Sequence, residues 1–310
     1  MKKNKTMYYL DTCAVIALDD QLLENRIKKN CFFSSFTILE LCRNINEKTY
    51  PRQKRLLDII YDSGITINWL RKKAIISEYM FLTPLVGNTF ERIDKPARLL
   101  LDIVKKSTSY SNYIAVKEEN SMDIFRGELT AGEYRVINKK NPELKEQVKK
   151  KALKCLDGIL NNTSRISDDI TASLLDRVKE NHPVEGYECF LDYFKENYRS
   201  LNQHLIQSYA EYVAEYYGDA DELKTRAIKK YNNKARIYST TYAYYLLEHA
   251  FENKEIKKHD GVDMDHLLFA LKPNTVIVSS DMDFLSLIET TDPGYCLHLN
   301  EFELMMGLVD

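Results

Sequence analysis

Six acidic residues stand where a chain of alternating strands and helices would present chemistry: Asp11, Glu40, Asp263, Asp265, Asp281 and Asp283. Asp11 follows the apolar run Met7 to Leu10, Asp281 follows Thr275 to Val278 within three residues, and Asp263 and Asp265 precede the apolar stretch Leu267 to Leu271. Glu40 sits about one turn into a helical stretch from Phe36 to Ile45. Parallel α/β sheets bind ligands beyond the carboxyl ends of their strands, which places these acids at one expected edge. Glu40 leans back toward that edge, because helical side chains point to the helix N-terminus. Two chemistries compete for the same residues. Asp is a favoured N-cap, and Asp263, Asp265 and Asp281 each stand at an expected helix start. If the carboxylates instead converge, their repulsion raises one another's pKa and calls for a compensating cation. All-oxygen donors select Mg²⁺ or Mn²⁺ rather than zinc.

The elements that must position these acids are legible at both chain ends. Met7 to Leu10 reads as a buried strand followed by helical periodicity from Ala14 to Ile27, and Cys31 to Phe33 as a second strand before the helix of Glu40. Ile65 to Leu70, Thr275 to Val278 and Tyr295 to Leu299 complete the strands, and Asp281 to Ile288 reads as a short helix. Strands alternating with helices imply an α/β fold with a parallel sheet. Residues 81–254 carry helical periodicity and few strand signals, so the expected organisation is a discontinuous α/β domain of 1–80 and 255–310 with a helical insertion at 81–254. Within the insertion, long helices are expected over Val184 to Tyr217 and Asp221 to Lys257, broken at Gly218.

The segments Tyr8-Tyr9-Leu10-Asp11-Thr12, Ser34-Ser35-Phe36-Thr37-Ile38-Leu39-Glu40-Leu41, Asp265-His266-Leu267-Leu268-Phe269-Ala270 and Val278-Ser279-Ser280-Asp281-Met282-Asp283-Phe284 together resemble PIN-domain ribonucleases. The resemblance covers the two chain ends and not the middle. It implies a PIN-like fold, metal ligation by Asp11, Glu40, Asp265 and Asp281, an additional acid at Asp283, and a supporting hydroxyl at Thr12 or Ser279. The late ligand is either Asp263 or Asp265, with Asp265 preferred because the apolar helix is expected to begin just after it. The implied activity is Mg²⁺- or Mn²⁺-dependent hydrolysis of RNA, with single-stranded DNA as a second candidate substrate and a toxin or defence role among the biological settings. The alternative is a PIN-like module without turnover that binds RNA or assembles proteins.

Other acid chemistries fit less well. A phosphatase pattern D-x-D-x-T fails at Cys13, and no P-loop, G-x-G-x-x-G, G-x-S-x-G or H-E-x-x-H motif occurs. His266 reads as a neighbour that packs or hydrogen-bonds a carboxylate. The six cysteines form no C-x-x-C pair and are expected as reduced thiols. Asp11 interrupts the apolar run after Lys2, Lys3 and Lys5, so no signal-peptide core forms, and no apolar run reaches membrane-span length. A cytoplasmic protein without a membrane segment is expected.

The net charge of −2 excludes a globally basic nucleic-acid coat, but it divides as +5 over residues 1–80, +1 over 81–254 and −8 over 255–310. Positive charge near the acids must therefore come from elsewhere in the chain. Lys224, Arg226, Lys229, Lys230, Lys234 and Arg236 form an acid-free basic run, and Arg71, Lys72 and Lys73 a second group; each is either a phosphate-binding face or a solvated surface. Tyr209, Tyr212 and Tyr216, like Tyr238, Tyr242 and Tyr245, recur at helical spacing. Base stacking competes there with packing between helices, and the need of an amphipathic helix to bury one stripe favours packing. The insertion could equally hold a partner protein or a second copy of the chain.

Overall fold

The computed structural model describes residues 5–82, 93–124, 142–214, 224–225, 228–229, 235–257, 260–291 and 294–309. β1 (Met7–Leu10) leads into α1 (Thr12–Leu18), a 3₁₀ turn (Asp19–Leu23) and α2 (Asn25–Asn30). β2 (Cys31–Ser34) runs directly into α3 (Ser35–Arg43), followed by α4 (Tyr50–Ser63), β3 (Thr66–Asn68) and the short α5 (Lys72–Ile75). Helices α6 (Lys95–Lys106), α7 (Tyr110–Ile124), α8 (Pro142–Asn181), α9 (Phe190–Ala214) and α10 (Arg236–Phe251) occupy the middle. The chain returns through α11 (Asp260–Leu267), a 3₁₀ turn (Leu268–Leu271), β4 (Thr275–Ser279), α12 (Met282–Thr291), β5 (Cys296–His298) and α13 (Leu299–Met306).

The fold is α/β, with a five-stranded parallel sheet in the order β3-β2-β1-β4-β5. Two compact units divide the chain: Met1–Ala14, Arg71–Gly87 and Ser164–Asp310 form one, and Val15–Leu70 with Asn88–Thr163 the other. These bounds differ from the expected division at residues 81 and 254, because the helical middle is shared between both units.

In the first unit, β1 pairs with β4 in the register Met7↔Thr275 to Leu10↔Val278, and β4 pairs with β5 from Ile277↔Cys296 to Ser279↔His298. Alternation along β1 sends neighbouring tyrosines to opposite faces. Tyr8 meets Phe302 edge-on at 5.3 Å between ring centroids, while Tyr9 stacks on Phe269 at 4.4 Å. α10 is buried on nearly every side, including Tyr238, Thr241, Tyr242, Tyr245, Leu246 and His249. A helix apolar all round belongs inside a core. Its tyrosines are packing residues: Tyr209 and Tyr238 share a hydroxyl hydrogen bond at 2.6 Å, and Tyr242 pairs with Thr171 at 2.9 Å.

In the second unit, β2 and β3 pair in parallel from Phe32↔Thr66 to Ser34↔Asn68. Gly64, at φ +68°, makes the left-handed turn that ends α4 and releases the chain into β3. α6 opens on Asp94, whose carboxylate accepts from the Ala97 amide at 3.1 Å, and buries Leu100, Leu101, Ile103 and Val104 along one stripe.

Three expected helices are corrected. The stretch Ala14 to Ile27 is broken at Asp19, whose φ of +40° leaves the helical region, and Arg55 holds the carboxylates of Asp19 and Asp20 at 2.8 and 2.6 Å. The helix expected from Val184 starts only at Phe190, after a turn containing Gly186 at φ +92°. Of the helix expected over Asp221 to Lys257, Lys224, Thr225, Ile228 and Lys229 are helical and α10 ends at Phe251, six residues before Lys257; Gly218 lies outside the described residues. Among the described residues no helix is long and apolar enough to cross a membrane.

Candidate active site

The parallel register of β1 and β4 brings their carboxyl ends level, so that the residues just beyond them meet. The Asp11 amide continues the ladder by donating to the Val278 carbonyl at 3.2 Å. Its carboxylate is 5% exposed; Oδ1 accepts from the Ala14 amide at 2.7 Å and Oδ2 from the Ser279 hydroxyl. Ser279 is fully buried and also accepts from the Asp281 amide at 2.9 Å. One hydroxyl therefore joins the two strand ends, donating to one acid and receiving the backbone of the other.

Asp281 is half-buried, and its Oδ1 accepts from the Phe284 amide at 3.1 Å. Both Asp11 and Asp281 thus satisfy the first turn of the helix that follows them, as the capping reading expected of Asp281 alone of these two. Of the two expected supporting hydroxyls, Thr12 is the first residue of α1 and Ser279 donates to Asp11. Capping occupies one oxygen of Asp281 and leaves its chemistry compatible with a further ligand.

Asp265 is placed otherwise than its sequence context suggested. α11 begins at Asp260, five residues earlier, so neither Asp263 nor Asp265 opens a helix. The reason lies in the turn before it: the Asp260 amide donates to the Lys257 carbonyl at 3.3 Å, while its carboxylate accepts from the Lys257 amide at 2.7 Å and the Tyr245 hydroxyl at 2.5 Å. Asp263 is half-buried within the helix, and Asp265 is 7% exposed. Lys72 Nζ stands 2.5 Å from Asp265 Oδ1. Asp265 also adds its negative charge to the environment of Tyr209, Tyr238 and Tyr242, whose phenols burial has already pushed far above their ordinary range. These phenols stay neutral and pack.

His266 packs against Tyr9 and hydrogen-bonds it: its Nδ1 lies 2.5 Å from the Tyr9 hydroxyl, and the ring is buried. This pair ties α11 to β1 and sets the depth of Asp265. Asp283 is almost wholly exposed and faces Lys257 at 3.7 Å. Glu40 belongs to the second unit, where it is half-buried on α3. Among the described residues no three His, Cys, Asp or Glu side chains are grouped to hold a metal ion. The donor chemistry nevertheless suits a hard cation, and a cation, the Lys72 ammonium, already stands against Asp265.

The basic residues divide in the same way. Lys73 Nζ lies over the Tyr212 ring at 4.5 Å, Arg71 is half-buried before α5, and Lys72 is committed to Asp265. Lys224 pairs with Glu211, Lys229 and Arg236 are exposed, and Arg226, Lys230 and Lys234 lie outside the described residues. Sequence reasoning missed the Lys72–Asp265 and Tyr9–His266 pairs. Their only trace in the sequence is residue type, since the partners are separated by most of the chain. No protein-family model, curated protein or solved structure matches this chain.

Proposed function

We propose that the protein is a metal-dependent nuclease, an endoribonuclease that hydrolyses RNA phosphodiester bonds. The observation that carries this reading is the Asp11–Ser279–Asp281 arrangement at the level carboxyl ends of two adjacent parallel strands. That edge is where such sheets act on ligands. Asp11, Asp281 and Asp265 are the first unit's candidate ligands for Mg²⁺ or Mn²⁺, and the PIN-domain resemblance assigns the fourth carboxylate to Glu40. The metal would supply Lewis-acid activation of water for in-line attack on phosphorus, with the bond to the 3′-oxygen breaking to leave a 3′-hydroxyl and a 5′-phosphate.

This chain's own residues prepare that chemistry. The Ser279 hydroxyl and the Ala14 amide direct two donors at Asp11 and fix the orientation of its carboxylate. The Phe284 amide at the start of α12 likewise fixes one oxygen of Asp281. A second reading, a PIN-like RNA-binding or assembly module without turnover, is favoured by one observation: Lys72 already neutralises Asp265 within the chain.

Incubation of the pure protein with total RNA and Mn²⁺, beside Asp11→Asn, separates the two. The nuclease reading expects cleavage by wild type, none by the variant, and a fold retained in both. Equal cleavage by the two proteins would remove Asp11 from the site. RNA retention at low salt without cleavage by either would favour the binding module.

A further inference from the structure

The tyrosines of the helical middle have two different fates. Tyr209, Tyr238 and Tyr242 turn their hydroxyls to hydrogen-bonded partners between helices, whereas Tyr212, one turn beyond Tyr209 on α9, keeps 39% of its surface exposed. Lys73, on α5, holds its ammonium over the Tyr212 ring, 4.5 Å from the centroid. The chain that continues α5, Ile76–Met80, packs against α9 and so fixes the spacing of the two elements. The acid beside Tyr212 is already answered, since Glu211 pairs with Lys224. Arg71 and Lys72 directly precede Lys73, and Lys72 holds Asp265, whose charge in turn reaches Tyr209. An exposed aromatic ring with cations about it therefore lies on the same helix face as the surroundings of Asp265.

We propose that Tyr212 and Lys73 form a docking point for one nucleotide of single-stranded RNA, the ring stacking its base and the ammonium meeting its phosphate. This deepens the nuclease reading above and rests on it for RNA as the substrate. A lysine over an exposed ring is a weak contact, and both partners gain by exchange. The ring takes a base, every one of which has a π-face. The ammonium, on a flexible four-carbon stem, swings aside to a phosphate oxygen and releases a counterion from the strand. A duplex keeps its bases stacked inside and offers the ring nothing, so the pair selects unpaired strands. An acidic peptide would engage the ammonium but leave the ring without a base to stack.

The test is fluorescence anisotropy of a short labelled oligoadenylate in EDTA, where metal-dependent cleavage is off, over a series of salt concentrations. Tyr212→Ala is expected to weaken binding about five-fold or more with the salt slope unchanged, and Tyr212→Phe to bind as wild type. Lys73→Gln is expected to reduce the salt slope by about 0.7, the value for one phosphate contact on a single strand. An abasic strand of the same length should bind wild type and Tyr212→Ala equally. In Tyr212→Trp, oligoadenylate should quench the new indole beyond any response of the native Trp69. Wild-type affinity and salt slope in Tyr212→Ala and Lys73→Gln would overturn the docking point and leave the nuclease reading standing. An oligoglutamate peptide bound as tightly as the RNA, with the same loss in Tyr212→Ala, would assign the patch to an acidic protein and overturn it too. No binding of oligoadenylate by wild type would also overturn it, while cleavage of total RNA with Mn²⁺ decides the nuclease reading separately.

Discussion

Replacement of Ser279 by alanine is the most discriminating perturbation of the site's architecture, because the hydroxyl is fully buried and has two partners on different elements. Its loss leaves Asp11 Oδ2 without the hydroxyl donor and the Asp281 amide without the hydroxyl acceptor. A hydrogen bond to a charged group contributes ~1.5–3 kcal/mol and a neutral one about 1 kcal/mol, so Ser279→Ala should destabilise by ~2–4 kcal/mol. For a chain of this size that corresponds to a fall of ~5–10 °C in melting temperature. Asp11→Asn alone should be nearly neutral, since the amide oxygen still accepts from Ala14 and the amide nitrogen can donate to the serine. In the double variant the charged part of the serine's contribution is already gone. A thermodynamic cycle over wild type, both single variants and the double variant should therefore return a coupling of at least ~1.5 kcal/mol. A Ser279→Ala change within about 0.5 kcal/mol of wild type, the range of unremarkable surface substitutions, would refute the bridging role.

Other outcomes follow from burial and charge elsewhere in the chain. Cys13 and Cys189 are exposed and should react promptly with a disulfide reagent, while Cys42, whose thiol burial pushes up to about 12, should react only on unfolding; prompt modification of Cys42 in the native protein would contradict its placement. Burial lowers the pKa of His249 below its ordinary 6.5, so the unfolded chain takes up the proton first as pH falls. Stability contributed by neutral His249 is fully present above 6.5 and is lost on acidification through the window below it, and His249→Gln should flatten that part of a melting-temperature profile. Tyr242→Phe removes the buried hydrogen bond to Thr171 and should cost ~1–2 kcal/mol in urea unfolding, without the larger loss that a cavity-forming Tyr242→Ala would bring. Asp263→Asn should be close to neutral, whereas Asp265→Asn strips Lys72 of its partner and should destabilise by ~1–3 kcal/mol; the reverse order would place the critical acid at Asp263.

What could be read in the sequence is what depends on short range. Strands β1, β2 and β4 lie where runs such as Tyr8-Tyr9-Leu10 and Val276-Ile277-Val278 placed them, because a buried parallel strand needs only a short continuous apolar stretch. The Asp281 cap was legible for the same reason, since it serves the backbone amide three residues on; Asp11 makes the same contact with Ala14 and was not read as a cap. Ser279 was readable as a supporting hydroxyl from its neighbourhood, although its two simultaneous partners depend on the β1–β4 register. The start of α11 was misplaced because the decisive contact comes from Tyr245, fifteen residues before Asp260 in sequence and on another helix. Lys72 and Asp265 carry no local mark of their pairing. α10 shows the limit of periodicity itself: a helix buried on nearly every side has no polar face to betray its register.

Carboxylates brought together repel one another and call for a compensating charge, and in the first unit each has a partner within the chain. Asp11 has a hydroxyl and an amide, Asp281 has the first turn of α12, and Asp265 has an ammonium. These carboxylates therefore have partners without a metal, unlike the ligands of small zinc domains, and on the proposed reading a metal would bind a fold already neutralised. Chelation should accordingly leave the melting temperature of the wild-type protein unchanged in metal-free buffer. Added Mn²⁺ should then raise stability by mass action alone, by about 2.7 kcal/mol when its free concentration is 100 times the dissociation constant. At the ~2–4 °C per kcal/mol of a large domain, that is a rise of ~5–10 °C that scales with the logarithm of the metal concentration. Loss of the folded state on chelation would show instead that the internal partners of Asp11, Asp281 and Asp265 do not suffice.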